Sequence, residues 1–495
     1  MITRYADKRI SRIFSDSAKV KLWQKMELTV LQAMVDLSML DQEIYSKIET
    51  LWRSHSINIK WWKKRDQEIH HDLNAFLDER YRYLPLELHC HVHKNITSFD
   101  TEEAPFALSL KKAAAIVDDY CEELKATLIR MALQYRYAIM NGRTHGQEAE
   151  MQSFGARVLT WFKDLETAKL ALDNAGDNLK YSKLSGAIGK YGSIDPALEK
   201  QTLLILGLQP YYGSTQIIPR IIYVPLAQAL SNMVSVIDKI ATDIRLSARS
   251  GRPLMQEPFK KKQKGSSAMP HKKNPILLEN LEGMAKMATG FASMITSTIK
   301  TWEERTIEQS SVERVAWPDL FHVTVRSLSI LNKVLSGLRV YPDNMLEEII
   351  QSRGVYASSE AKEFLKEHLT AHGLGNEDVY RIVQLAAFNV FKPTPERMEI
   401  RERISSSFSE SLELLDKMRD LPQAKIVSLA DIIPAARLEV NDDLDIAQTD
   451  VDKYNLALKK LFKSEEIRVQ WNKLFTPAFL LRNEAVLYRE ILGVE

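Results

Sequence analysis

Cysteine is nearly absent from this chain of 495 residues: only Cys90 and Cys121 occur. Two cysteines cannot staple a fold together, and their scarcity fits a reducing compartment, so a cytoplasmic protein is expected. Glycine (18) and proline (17) are also scarce, which argues against a turn-rich all-β protein and for long helices. Net charge is lacking too. Lys and Arg number 67 against 65 Asp and Glu, so no bulk field draws the chain to nucleic acid or to a membrane surface. No apolar run reads as a bilayer span: the longest uncharged stretches, 201–219 and 221–237, are broken by Gln, Asn, Ser, Gly and Pro. Residues Met1 to Arg9 are charged from the start and have no apolar signal core.

What is present is a globular balance of 45% apolar and 27% charged residues, which excludes wholesale disorder. The length suggests about three domains. Helical periodicity is the strongest pattern. Phe106, Leu110, Ala113, Val117, Tyr120, Leu124, Thr127 and Met131 step by alternating four and three. Three further sets do the same: Phe154 to Leu172, Leu226 to Ile244, and Leu277 to Thr298. Each places one stripe along a long helix at the spacing of knobs-into-holes packing, and together they predict a long bundle. A fifth, weaker stripe runs from Leu320 towards Leu338.

The flanks carry shorter patterns. One helix is expected from about Ser17 to Leu40, with Trp23, Met26, Val30, Met34 and Leu37 inward. After about 358 the expected helices are Ala361–His368, Glu377–Phe388, Pro395–Ser407 and Ser411–Lys417. The division that follows is an N-terminal helical domain (1–106), a central bundle (107–357) and a C-terminal helical domain (358–495). Between two of the longest stripes lies a polar loop, Phe259 to Pro275, broken by Gly265, Pro270 and Pro275. Its hydroxyl, imidazole, ammonium and amide groups concentrate donors suited to an anion.

The eleven residues Gly265-Ser-Ser-Ala-Met-Pro-His-Lys-Lys-Asn-Pro275 resemble the signature loop of the fumarase/aspartase superfamily of lyases. Further segments, in order, resemble its adenylosuccinate lyase family. They are Arg4-Tyr5-Ala6 with Ile13–Asp16, His71–Phe76, His93 with Thr97–Asp100, Arg143-Thr144-His145-Gly146-Gln147 and Leu184–Gly189. Ser214-Thr215-Gln216 with Arg220, and Trp302–Arg305 with Ser310–Arg314, follow. The likeness is close over about 1–320 and loose beyond. It implies an all-α, three-domain fold around a five-helix bundle, and a homotetramer whose active sites collect residues from three subunits. It also implies cleavage of a C–N bond in a succinyl-substituted amine with release of fumarate, on a small nucleotide substrate and without metal or cofactor.

Such an elimination removes a proton from carbon beside a carboxylate, so the developing aci-carboxylate needs strong electrostatic stabilisation. Lys272 and Asn274 offer a charge and a directed donor, and Thr97 and Ser98 offer hydroxyls. By resemblance Ser266 is the base, assisted by loop closure and nearby cations, because an unassisted hydroxyl is a poor one. The departing nitrogen needs a proton, and His145 is the natural general acid because imidazole titrates near neutrality. The resemblance gives Glu279 the orienting of His145 or of the loop. It assigns His71, Asp72, His93, Thr144 and Met269 to substrate binding. It sets Arg4, Tyr5, Arg305, Ser310 and Arg314 on the nucleotide, the arginines and Tyr5 gripping its phosphate, and Gln216 and Arg220 on other polar parts of the substrate.

Plainer readings exist. The lysines at 260, 261, 262 and 264 could be a solvated run or a nucleic-acid patch. His70, His71, His89, His91 and His93 suggest a metal, but no carboxylate or cysteine spacing converges on them. His89 and His91 are then structural. Gly186, Gly189 and Gly192 lack the spacing and the preceding strand of a nucleotide loop. The chain departs from the family at Lys94, at Asn95 (usually Gly), after Gln147, and at Ile221–Tyr223, where polar residues give way to apolar ones. A related lyase acting on another succinyl amine, or a helical scaffold without activity, are the alternatives.

Overall fold

The computed structural model describes residues 1–393, 395–406, 411–420 and 427–494. Helix accounts for 66% of it, so the expected all-α class holds. The elements used below are α1 (Asp16–Asp36), α2 (Asp72–Tyr81), α3 (Ser98–Gln134), β1 (Ile139–Thr144) and β2 (Gln147–Ser153). They continue with α4 (Phe154–Gly176), α5 (Val224–Ser247), α6 (Ile276–Ser297) and α7 (Glu308–Ser336).

The chain forms two compact units. The first comprises Met1–Leu128, Trp161–Ala248 and Gln256–Arg339. Its long helices bury the stripes read from the sequence: Leu110, Ala113, Val117 and Leu124 on α3, Leu226, Leu230, Met233, Ile237, Ile240 and Ile244 on α5, and Leu281, Met284, Ala288 and Ile295 on α6. The fifth helix begins at Glu308, twelve residues before the expected Leu320. Its first turns bury Gln309, Ser310 and Glu313 rather than aliphatic residues, and Pro318 interrupts the pattern, so no apolar stripe marked them. A neighbouring core of Trp23, Trp52, Trp62, Phe76 and Leu73 lies beneath α1 and α2. Ser15 starts α1 by accepting the Ala18 N–H.

The second unit comprises Ile129–Thr160, Arg249–Met255 and Val340–Glu495. Its core gathers Leu365, Ile382, Leu385, Leu458 and Trp471. The helices there are Ser358–Leu369, Asn376–Asn389, Pro395–Ser406 and Ser411–Asp420. Ser407 and Glu495, which end the expected third helix and the expected domain, lie outside the described residues. The unit also holds an antiparallel hairpin, β1 with β2, that the helical periodicity did not anticipate. Gly142 and Gly146 punctuate that segment, and its strands are too polar to show an apolar alternation. By length and composition one helix among the described residues, Arg220–Ser247, could cross a membrane, but 61% of its apolar window is buried in the protein.

Candidate active site

The sequence-predicted residues fall into four groups. The largest surrounds the start of α2 and α3 in the first unit. The Asn74 N–H donates to Nδ1 of His71 at 3.2 Å, so the His71 ring caps α2. A ring whose Nδ1 accepts carries its proton on Nε2, and Nε2 lies 3.5 Å from the Ser98 hydroxyl. Asp72 Oδ2 sits 3.2 Å from Lys19 Nζ and 3.4 Å from Arg314 Nη2. Burial works against its charge, but Lys19 and Arg314 outweigh that and hold the carboxyl below its ordinary range. Arg305 donates to Gln216 Oε1 at 3.0 Å and lies 4.1 Å over the Phe99 ring. Burial lowers the proton affinity of this guanidinium. Ser310 is buried and donates to the Ile307 carbonyl.

His93 stands behind this group. Its Nδ1 is 2.8 Å from Glu27 Oε1, and its own N–H donates to Glu27 Oε2. Burial opposes charging the ring, yet Glu27 and Asp100 prevail and its pKa is raised. Asn95, where the family usually has glycine, adopts φ +65°. After glycine, asparagine tolerates this left-handed region best, so the departure keeps the loop geometry. Arg220 is buried with Nη1 2.7 Å from Glu103 and Nε 2.7 Å from Glu313. Tyr223, one of the apolar departures, donates to the same Glu103 and packs edge-on to Phe106. Arg220 is thus spoken for by two carboxylates in this chain.

A buried clamp, missed in the sequence, ties three of these segments together. Lys183 and Asp100 pair at 2.8 Å, both fully buried. Asp100 also accepts the N–H groups of Thr97, Ser185 and Gly186. Lys183 donates to the carbonyls of Gly186 and Gln216. The aspartate of the Thr97–Asp100 motif was the available signal. Its buried lysine partner carries none, since a lone Lys is ordinarily a surface residue.

The second group is the loop of Ser266, Met269, Lys272 and Asn274. Asn274 donates to the Gly265 carbonyl at 2.8 Å, folding the loop on itself. The Ser266 Oγ accepts from the N–H groups of Met269 (3.1 Å) and Ala268 (3.3 Å). Met269 and Lys272 are exposed. The loop leads into α6, whose first N–H groups, of Leu277 and Leu278, are capped by Glu257. Glu279 follows and pairs with Arg245 of α5 at 3.5 Å.

Arg4 and Tyr5 form the third group. Arg326 of α7, another residue missed in the sequence, donates to the Arg4 carbonyl at 3.0 Å, to Asn280 of α6 at 3.2 Å, and lies 4.6 Å over the Tyr5 ring. Arg314 and Arg326 are twelve positions apart on one helix, about 18 Å at 1.5 Å per residue. Arg4 and Tyr5 therefore stand well away from Arg314 within one chain.

Thr144 and His145 belong to the second unit, at the tip of the hairpin. Thr144 pairs with Gln147, and His145 and Gly146 between them take φ +53° and +78°. Two successive left-handed residues are the requirement of a type I′ turn. This turn lifts the imidazole into solvent, where His145 has no hydrogen bond or ion pair among the described residues. His89, by contrast, stacks on Tyr81 and reaches the Leu84 carbonyl.

A model of the lyase family matches residues 4–290. An adenylosuccinate lyase of Synechocystis sp. is 32% identical over 442 residues, spanning 89% of this chain and all of that protein. One from Aquifex aeolicus is 33% identical over 79% of this chain and 89% of its own length. Among solved structures, a fumarate lyase from Mesorhizobium sp. BNC1 shares the fold with a TM-score of 0.74 at 18% identity, covering 99% of both chains.

Proposed function

The chain belongs to the adenylosuccinate lyase family, and from that premise we propose how it splits adenylosuccinate into AMP and fumarate, and likewise the succinyl-carboxamide ribotide of purine synthesis. Ser266 takes the carbon-bound proton. The observation that carries this is its hydroxyl oxygen facing two backbone N–H groups, which favour the deprotonated oxygen as an oxyanion hole does. Lys272 and Asn274, with Thr97 and Ser98, stabilise the aci-carboxylate. His145 protonates the leaving nitrogen. Arg4, Tyr5, Arg305, Ser310 and Arg314 bind the nucleotide, with His71, Asp72, His93, Thr144, Gln216 and Met269 lining the site. Glu279 and Arg220 act through the groups they pair with.

The assembly we propose is a cytoplasmic homotetramer of three-domain chains with shared sites. The apolar stripes do not support it, because they are already buried within one chain. Its support is the spread of candidate residues: Arg4 is held by Arg326, twelve positions along α7 from Arg314, and Ser266 and His145 belong to different units. An absorbance assay with adenylosuccinate and argininosuccinate side by side tests the activity. Turnover of adenylosuccinate alone is expected. Turnover of argininosuccinate alone moves the substrate to another succinyl amine, and turnover of neither makes the chain a scaffold.

A further inference from the structure

A cavity of about 290 Å³ opens behind Asp72 and Arg314 in the first unit, between α1, α2 and the first turns of α3 and α7. Phe14, Trp23, Phe99 and Phe106 are among its lining. Charged residues line it too, and nearly all of them are matched. Asp16 holds Lys63 at 2.6 Å, Lys19 and Arg314 share Asp72, and Arg220 joins Glu103 to Glu313. Glu102 is the exception. It faces the cavity with no hydrogen bond and no ion pair among the described residues. The charges within its reach are Asp72 on α2, Lys19 on α1, Arg314 in the first turns of α7 and Arg305 in the segment just before it.

We propose that Glu102 tunes the hold of the Arg305–Arg314 face on an anionic substrate by taking up a proton as the anion binds. The inference rests on reading that face as the nucleotide phosphate site. Ionised Glu102 subtracts from the positive potential of the two arginines. A bound dianion adds more negative charge beside it, and a proton on Glu102 relieves both repulsions. Burial first, and then Asp72, lift this carboxyl to about 7 against the pull of Lys19, Arg314 and Arg305, so the exchange falls at neutral pH. Asp72 is held ionised by its two cations. Glu313 is also raised by burial, but Arg220 holds it. As pH rises through neutrality Glu102 ionises, and anion affinity falls.

Calorimetric titration of the assembled protein, in two buffers of different ionisation heat, counts protons taken up. The probes are AMP and sulfate, the latter a dianion throughout the range. The wild-type protein is expected to take up a fraction of a proton with either probe at about pH 7.5. Glu102→Gln should take up correspondingly less and, at about pH 8.5, bind about tenfold more tightly than wild type, the equivalent of one pKa unit of coupling. Glu102→Asp should restore the uptake. A melting temperature of Glu102→Gln equal to or above that of wild type shows that the variant is folded. Equal uptake by wild type and Glu102→Gln overturns the inference, as does weaker binding by Glu102→Gln at every pH, which makes Glu102 a direct contact. Sulfate binding with proton uptake but no AMP binding leaves the inference standing and removes the nucleotide reading. Binding of neither overturns both.

Discussion

Ser266 and His93 show how single side chains acquire chemistry from what surrounds them. Ser266 is an ordinary hydroxyl until Ala268 and Met269 aim their N–H groups at its oxygen. An interaction used only in the transition state lowers kcat without weakening ground-state binding. Ser266→Ala should therefore abolish turnover and still bind adenylosuccinate with near-normal affinity, whereas Ser267→Ala should be milder. Calorimetric binding beside single-turnover rates measures both, and proportional loss of binding and turnover would make Ser266 a substrate contact instead. His93 carries a different prediction. Glu27 raises its pKa, so its contribution to stability is fully present below the ordinary imidazole value of about 6.5. That contribution fades as pH climbs through the raised folded value. Melting curves of wild type and His93→Gln should differ more at about pH 5.5 than at about pH 8.5. A gap that widens with pH contradicts the pairing. Both residues stood out in the sequence through their motifs, but Glu27, 66 positions before His93, did not, because an acid inside an amphipathic helix looks like any solvated one.

Among the elements, the long helices were the legible part. Their stripes report a partner surface repeating every three or four residues, and that is what α3, α5 and α6 bury. The start of α7 was hidden because its inward face is polar, and the hairpin because its strands bury few side chains. The signature loop shows how one glycine sets an element's shape. A Cβ on Gly265 would run into the Lys272 carbonyl oxygen and stand 3.2 Å from the Lys273 Cα. Backbone cannot give way as a flexible side chain can, so Gly265→Ala must open the loop and part Ser266 from Lys272. Misplacement by about 1 Å costs roughly 100-fold in rate, so a loss of that order in kcat/KM is expected with little change in melting temperature, since the loop lies at the surface. Gly176→Ala is the comparison, because nothing lies within 4 Å of its added Cβ. If Gly265→Ala keeps wild-type kcat/KM, the closed loop is not the working form.

At the scale of the whole molecule, what one chain leaves unfinished becomes the prediction. Among the described residues His145 stands unpartnered at the tip of its hairpin, in a different compact unit from Ser266, and linear motifs carry no record of which copy supplies which group. If each site of a tetramer draws its acid from one subunit and its base from another, two dead variants can repair each other. His145→Gln alone should lose roughly two to four orders of magnitude in turnover, the scale of a missing general acid, and Ser266→Ala should be inactive. Mixed in equal amounts and allowed to exchange subunits, they should regain activity. Each site then needs its His145 from a Ser266→Ala chain and its Ser266 from a His145→Gln chain. Each condition is met half the time under random closed assembly, so about one quarter of the sites should be intact. If acid and base came from the same chain, every site would inherit one defect and no activity would return. Recovery near one quarter, with light scattering giving the mass of four chains, supports shared sites. Absence of recovery after proven subunit exchange, or full activity in a monomer, excludes them.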